Sequence, residues 1–408
     1  MNIEKILEKM TLEEKIALCS GADFWHTKEM SHRGIPSMMM SDGPHGLRKQ
    51  PETADMLGIN ESVPATSFPT AVLSACSWDK ELLKKEGEAI AREAIANKVS
   101  LVLGPGANIK RNPLCGRNFE YFSEDPYLSG KMAAAHISGI EKTGCGSSLK
   151  HFALNNQEYK RFSSDSLVDE RTMREIYLAS FETAVKEGHP STVMCSYNKI
   201  NGTYSSDNRW LLTEVLRDEW GFDGLVVTDW GAMSDRIKGF LAGCDLMMPG
   251  GSDYMEKECA EAVKNGTLSE EDVTRSARRV LELIAKTAHE TNLWHLHPCN
   301  HKPTHLYFSH SPESCKSITT LSYFSTSAMS INSPASAESI IFSLSSRNCS
   351  FSVLFSIIHL SFLDPQGHID GNQHHKLCDL QKIVFHDHTS LTHIPYFCNI
   401  SFRLMTKI

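Results

Sequence analysis

Gly224-Leu225-Val226-Val227-Thr228-Asp229-Trp230-Gly231-Ala232 places four apolar or β-branched residues after a glycine and ends them on a carboxylate, an aromatic and a second glycine. A short run without polar alternation is the pattern of a strand buried on both faces, as in parallel sheets. In parallel α/β folds, ligands bind at the carboxyl ends of such strands. Asp229 is therefore a candidate catalytic residue. The competing reading is a helix N-cap, because Asp is a favoured cap and a helix-like segment starts at Ala232.

Outward from this strand, residues 1–285 alternate two patterns. Short apolar pieces at 37–42, 100–103, 147–152, 192–197, 225–229 and 245–248 end in Gly, Pro or polar residues. Helical periodicity occupies 79–97, with Asp79 as its cap, then 127–142, 170–187, 211–220, 232–242 and 270–286. Repeated βα units with right-handed crossovers make a parallel sheet. About 250 residues of such alternation is the size of a (β/α)8 TIM-type barrel. An open doubly wound sheet would carry a glycine-rich phosphate turn. Gly104-Pro105-Gly106-Ala107 puts proline at its flexible middle, and no Gly-x-Gly-x-x-Gly or Walker pattern follows, so no nucleotide cofactor is expected.

Composition divides the chain. Of its 408 residues, those from 291 to 408 hold 13 of the 90 Asp, Glu, Lys and Arg residues, two of the 25 glycines and 12 of the 19 histidines. The expected organisation is a barrel domain over 1–289 and a low-charge, Ser- and His-rich tail over 290–408, poorly ordered and without repeated βα pattern. Residues 1–290 carry 34 basic and 43 acidic side chains, a net of −9, which argues against nucleic acid or an anionic membrane as partner. The start, Met1 to Met10, scatters charges through an amphipathic helix pattern and has no apolar signal core, so a cytoplasmic protein is expected. No apolar run reaches the roughly 20 residues of a membrane span. Cysteines 19, 76, 115, 145, 195, 244 and 259 stand singly, with no Cys-x-x-Cys pair, so neither a disulfide framework nor structural zinc is expected. His-Glu-x-x-His spacing is absent, and no catalytic metal is expected either.

Several strand-like pieces end in polar groups with one chemical theme: Asp42, Arg117, Lys150 with His151, Tyr197, then Asp229-Trp230. Carboxylates, cations and an imidazole around an indole suit a sugar, held by its hydroxyls and stacked on an aromatic face. Each residue has a plainer reading. Asp42 before Gly43-Pro44 is an ordinary turn former, and Arg117 with Glu120 and Glu124 nearby is an ordinary ion pair. Lys150 and His151 are adjacent, so both can enter one pocket only at a strand end where the pleat breaks.

Residues 10 to about 289 resemble the N-terminal barrel of glycoside hydrolase family 3, the β-glucosidase-like enzymes. The resemblance runs in order through Met10-Thr11-Leu12-Glu13-Glu14-Lys15, Ser41-Asp42-Gly43-Pro44-His45-Gly46-Leu47-Arg48, Gly104-Pro105-Gly106-Ala107-Asn108-Ile109, Gly116-Arg117-Asn118-Phe119-Glu120, Lys150-His151-Phe152-Ala153-Leu154-Asn155, Val168-Asp169-Glu170-Arg171, Met194-Cys195-Ser196-Tyr197-Asn198 and Val227-Thr228-Asp229-Trp230-Gly231-Ala232. It implies a retaining glycosidase acting on a β-glucoside or short oligosaccharide, with Asp229 the nucleophile. Asp42 would hold sugar hydroxyls far from the scissile bond. Arg117, Lys150, His151, Arg161 and Tyr197 would surround the bound glycosyl unit, and Trp230 would stack beside the cleavage point. Nearby Arg and Lys are expected to keep the nucleophile ionised by lowering its pKa.

Retention needs a second carboxyl group about 5–5.5 Å from the first. In the β-glucosidases of this family it is a glutamate of a second, α/β sandwich domain after the barrel. Here the helix periodicity through Arg278 to Ile284 gives way near Thr291 to the glycine-poor tail, which reads as an out-of-frame or misassembled extension. An intact, uninterrupted frame through this region would overturn that reading. A metal-binding His-rich tail is the functional alternative, and its dispersed histidines lack ligand spacing. The Lys-His-Phe-Pro-Gly-His-Gly loop of the N-acetylglucosaminidase branch is absent. Glu158 is near in sequence as a local acid, with nothing further to support it. Two functions therefore stand: a β-glucosidase-type hydrolase, or a β-xylosidase or arabinosidase of the same family, impaired by the missing acid; and a catalytically inactive sugar-binding barrel.

Overall fold

The computed structural model describes residues 1–50 and 61–288. The readings made for 290–408 lie outside the described residues. Five parallel strands form the main sheet in the order β1 (Met40–Asp42), β2 (Leu101–Leu103), β3 (Gly146–Phe152), β5 (Thr192–Cys195) and β8 (Leu225–Thr228). Three short strands, β4 (Asp165–Ser166), β6 (Lys199–Ile200) and β7 (Thr203–Tyr204), make a separate small sheet in the loops beyond β3 and β5.

The main sheet closes through single bridges. Beyond β8, Val227 pairs with Leu246 and Met247 with Ser20, both parallel; Gly21 then pairs antiparallel with Thr27, and His26 with Met39, which precedes β1. The result is an α/β barrel of the (β/α)8 type, with part of its wall irregular. Residues 245–248, expected as a strand, contribute only such bridges. Thr228 Oγ1 lies across their path, accepting from Met248 N at 2.8 Å.

Strand parity sorts the core. Leu225 and Val227 join an apolar cluster with Met40, Leu101, Leu103, Met194 and Leu246, whereas Val226 joins Val193, Cys195, Ala133, Ile137 and Phe181 beneath the surrounding helices. Alternation therefore gives Asp229 the facing of Leu225 and Val227.

The helices follow the expected periodicity at Lys80–Ala96, where Asp79 accepts from the N–H groups of Glu81 and Leu82, and at Pro126–Glu141 and Glu270–Ala288. The segment expected at 170–187 is helical but contains a π-helical stretch at Met173–Leu178, and Trp210–Glu219 is π-helical as well. Helices Lys80–Ala96 and Pro126–Glu141 cross closely: a Cβ on Gly139 would sit 2.1 Å from the carbonyl oxygen of Lys84. The helix expected at 232–242 begins only at Arg236, capped by Asp235. Asp229 therefore does not cap it, and the cap reading of that residue fails. Gly231, at φ +81°, turns the chain away before the helix can start.

One buried carboxylate ties three elements together. Asp245 accepts from Val226 N at 2.9 Å and Arg217 at 2.7 Å through Oδ2, and from Ser276 and Arg279, each at 3.0 Å, through Oδ1. It is fully buried. Removing one member of a buried charge network leaves the others uncompensated, so Asp245→Ala should cost about 3–5 kcal/mol. The fall in the urea midpoint measures this, and a loss below about 1 kcal/mol would show that the network is no stronger than a surface pair.

Candidate active site

Asp229 follows β8 and keeps its ladder position, its N–H donating to Cys195 O at 3.0 Å. The side chain is almost wholly buried. Oδ1 accepts from Trp230 N at 2.8 Å, whereas Oδ2 has no partner within hydrogen-bond distance and lies 3.7 Å from His151 Nε2; the Tyr197 hydroxyl, bonded to Trp230 O, is near enough to act on the carboxylate. One oxygen is thus fixed and the other presented.

Lys150 and His151 reach the site from β3, whose register against β5 shifts between Leu149 and Phe152. The break in the pleat lies where the adjacent pair requires it, and the Lys150–His151 peptide is cis. Lys150 Nζ donates to Asp42 Oδ1 at 3.3 Å, joining β3 to the end of β1. Asn108 holds the His151 backbone from both sides: its Oδ1 accepts from His151 N at 2.8 Å and its Nδ2 donates to His151 O at 2.9 Å. Burial first, then Arg117, Lys150 and Arg161, push the imidazole well below its ordinary pKa. His151 is neutral.

Arg117 is paired with Glu120, as its plainer reading had it, yet its charge also reaches Asp229. Asp42 likewise serves its turn, accepting from Arg48 N at 2.9 Å through its carbonyl oxygen while its side chain takes Lys150. Arg161 stacks 4.5 Å over the Tyr197 ring and pairs with Glu158 at 2.8 Å. Tyr197 donates to Trp230 O at 2.9 Å, and Phe162 packs against its ring at 4.4 Å. On the other side Trp230 donates through Nε1 to Phe24 O at 2.6 Å and lies 5.6 Å from Trp25. All eight sequence candidates, Asp42, Arg117, Lys150, His151, Arg161, Tyr197, Trp230 and Asp229, are linked by these contacts and fields.

One expectation needs correction. Burial, the largest influence, pushes the Asp229 carboxyl above its ordinary range, and Arg117, the Trp230 N–H and Lys150 only partly offset it. The cations are present, but part of Arg117's charge is already met by Glu120 and part of Lys150's by Asp42. Glu158, near in sequence to the Lys-His pair, accepts from Arg161 at 2.8 Å and from Asn155 Nδ2 at 3.3 Å. Sequence reasoning passed over Asn108, Tyr121, Asn155, Phe24 and Trp25. Asn108 lies inside a quoted motif and Tyr121 directly follows another, but their contacts to His151 span 43 and 30 residues and leave no local pattern.

Two carboxylates, three cations, an imidazole and aromatics gather at the carboxyl ends of the strands of an α/β barrel, an arrangement of the kind glycoside hydrolases use. Residues 21–283 match the Glycosyl hydrolase family 3 N terminal domain, and the chain belongs to that family. It is similar to thermostable β-glucosidase B of Acetivibrio thermocellus, with 60% identity over 284 residues, covering 70% of this chain and 38% of that protein. It is also similar to an exo-α-(1→6)-L-arabinopyranosidase of Bifidobacterium longum, with 50% identity over 282 residues, covering 69% and 37%. The crystal structure of a Bifidobacterium adolescentis family 3 β-glucosidase superposes with a TM-score of 0.67 at 47% identity, covering 71% of this chain and 41% of that one. The chain thus spans less than two-fifths of the curated relatives' length. Among the described residues no helix is long and apolar enough to cross a membrane, and no three His, Cys, Asp or Glu side chains are grouped to hold a metal ion.

The raised Asp229 pKa has a stability consequence. The folded state holds this proton more tightly than the unfolded chain, so ionisation lowers stability as pH rises through the window between the ordinary value of 3.8 and the folded value. The cost is fully present above that window. Asp229→Asn should therefore melt higher than the parent protein at pH 7, with the gap narrowing toward pH 4. A variant that melts lower at pH 7 would show that the cations outweigh burial.

Proposed function

We propose that the chain carries the glycone site of a retaining, β-glucosidase-type glycosidase, with Asp229 attacking the anomeric carbon. The observation that carries this reading is the asymmetry of Asp229: Oδ1 held by the Trp230 N–H, and Oδ2 buried, undonated and facing His151. A nucleophilic carboxylate needs a fixed plane and one free lone pair. Its raised pKa leaves it more basic than an exposed Asp, which favours bond formation once a sugar enters.

Asp42, Lys150, His151 and Arg117 would bind hydroxyls of the glycosyl unit, Arg161 and Tyr197 would close its flank, and Trp230 would stack at the cleavage point. Hydroxyl contacts that strengthen as the ring flattens then lower the barrier toward the oxocarbenium-like transition state. Departure of the aglycone requires a proton from a second carboxyl group. Among the described residues Glu158 and Glu120 are both committed to arginines, so we assign the acid to a group outside this barrel. The barrel is taken as residues 1–289, with 290–408 as a separate tail, and the protein as cytoplasmic. The arabinopyranosidase relative supports keeping a pentoside among the substrates. The pairing of both nearby glutamates favours a second reading, a sugar-binding barrel without turnover, since loss of acid assistance removes roughly 10²–10⁴-fold of rate for poor leaving groups.

A 2,4-dinitrophenyl glucoside needs little protonation of its leaving group. Incubated with the chain, it should give a glycosyl adduct on the peptide containing Asp229 by mass spectrometry, absent in Asp229→Asn. Glucose binding without any adduct would favour the second reading. A parallel panel of aryl glucosides, xylosides and arabinosides reads the sugar preference.

A further inference from the structure

Behind His151, away from Asp229, lies a buried chain of polar groups that none of the roles above uses. Tyr121 is fully buried, and its hydroxyl lies 3.0 Å from His151 Nδ1. The same oxygen is 3.5 Å from Asn155 Nδ2, which is 3.3 Å from Glu158 Oε1. Glu158 in turn pairs with Arg161 at the rim of the site. We propose that Tyr121 is a positioning residue that locks His151 with its proton on Nε2, facing Asp229, and that Asn155 and Glu158 give the Tyr121 hydroxyl its direction.

The direction follows from counting donors and acceptors. An ionised Glu158 paired with arginine can only accept, so the amide nitrogen of Asn155 must face it. The reverse orientation would set two acceptor oxygens 3.3 Å apart. The nitrogen then also faces Tyr121, whose oxygen accepts from it. A buried phenol proton needs an acceptor of its own, and the contact available is His151 Nδ1. Burial pushes the Tyr121 phenol well above its ordinary pKa, which keeps that proton in place. A neutral imidazole whose Nδ1 accepts carries its proton on Nε2, 3.7 Å from the undonated Oδ2 of Asp229. The opposite tautomer would set an imidazole lone pair against the carboxylate and leave two donors, the Tyr121 hydroxyl and Nδ1–H, facing each other. One amide hydrogen of Asn155 is taken by Glu158 at the rim, and from the other the donors run through the Tyr121 hydroxyl and His151 Nε2–H toward Asp229.

The ¹⁵N resonances of His151 test this in the whole chain labelled with [¹⁵N]histidine, assigned as the signals missing from His151→Gln. The parent protein should show a neutral ring protonated at Nε2. Tyr121→Phe, which removes only the hydroxyl, should shift the ring toward Nδ1–H. It should also slow glycosyl trapping on Asp229 by about 10- to 100-fold, the range seen when the orienting partner of a buried site histidine is lost. An Nδ1-protonated or charged ring in the parent, or Tyr121→Phe leaving tautomer and trapping rate alike, would overturn the proposal. The kinetic readout rests on the glycosidase reading, but the tautomer does not: a parent chain that traps no glycoside counts against that reading alone. Should Tyr121→Phe not fold, the parent tautomer and Asn155→Ser, which removes the amide donor, decide the matter in the same way.

Discussion

Asp245 is the constraint on which the facing of Asp229 depends. Its carboxylate accepts the N–H of Val226 in β8 and, on the other side, Arg217, Ser276 and Arg279 from two helices. Fixing Val226 against the helices fixes the phase of the strand, because side chains alternate along it. Leu225, Val227 and then Asp229 must share the opposite facing. A one-residue slip would bury Thr228 where Asp229 stands and turn Asp229 into the helical layer. One buried carboxylate thus decides where another points.

At the mouth the electrostatics are a contest rather than a simple clamp. Burial raises the Asp229 carboxyl, and Arg117 and Lys150 pull it down without winning, because Glu120 and Asp42 share their charge. The balance at Asp229 is therefore set by how those two ion pairs divide the charge of Arg117 and Lys150.

Much of this was legible in the sequence, for identifiable reasons. The strands at 101–103 and 225–228 and the helix Lys80–Ala96 with its Asp79 cap follow from period and cap chemistry. The pleat break at Lys150-His151 followed from the need of two adjacent polar side chains to serve one cavity. What escaped was non-local. Ring closure rests on single bridges: Ser20 carries no strand pattern of its own, and the strand expected at 245–248 reduces to bridges at Leu246 and Met247. The late helix start at Arg236 depended on a turn at Gly231, and the net pKa of Asp229 on how far burial outweighs its neighbours. Tyr121 and Asn155 look like ordinary aromatic and turn residues until the fold sets them behind His151.

The seam of the barrel has a further consequence. The wall closes where Ser20 meets Met247, and Arg236 reaches Cys19 O across 217 residues of sequence. Both backbones are glycine at the closest approach: a Cβ on Gly250 would lie 2.1 Å from the carbonyl oxygen of Gly21. Leu18 and Cys19, fully buried beside this seam, are thus covered only when partners more than two hundred residues apart in sequence have met. Contacts of such high sequence separation are the slow ones to form, so the seam is the part of the wall whose closure waits longest.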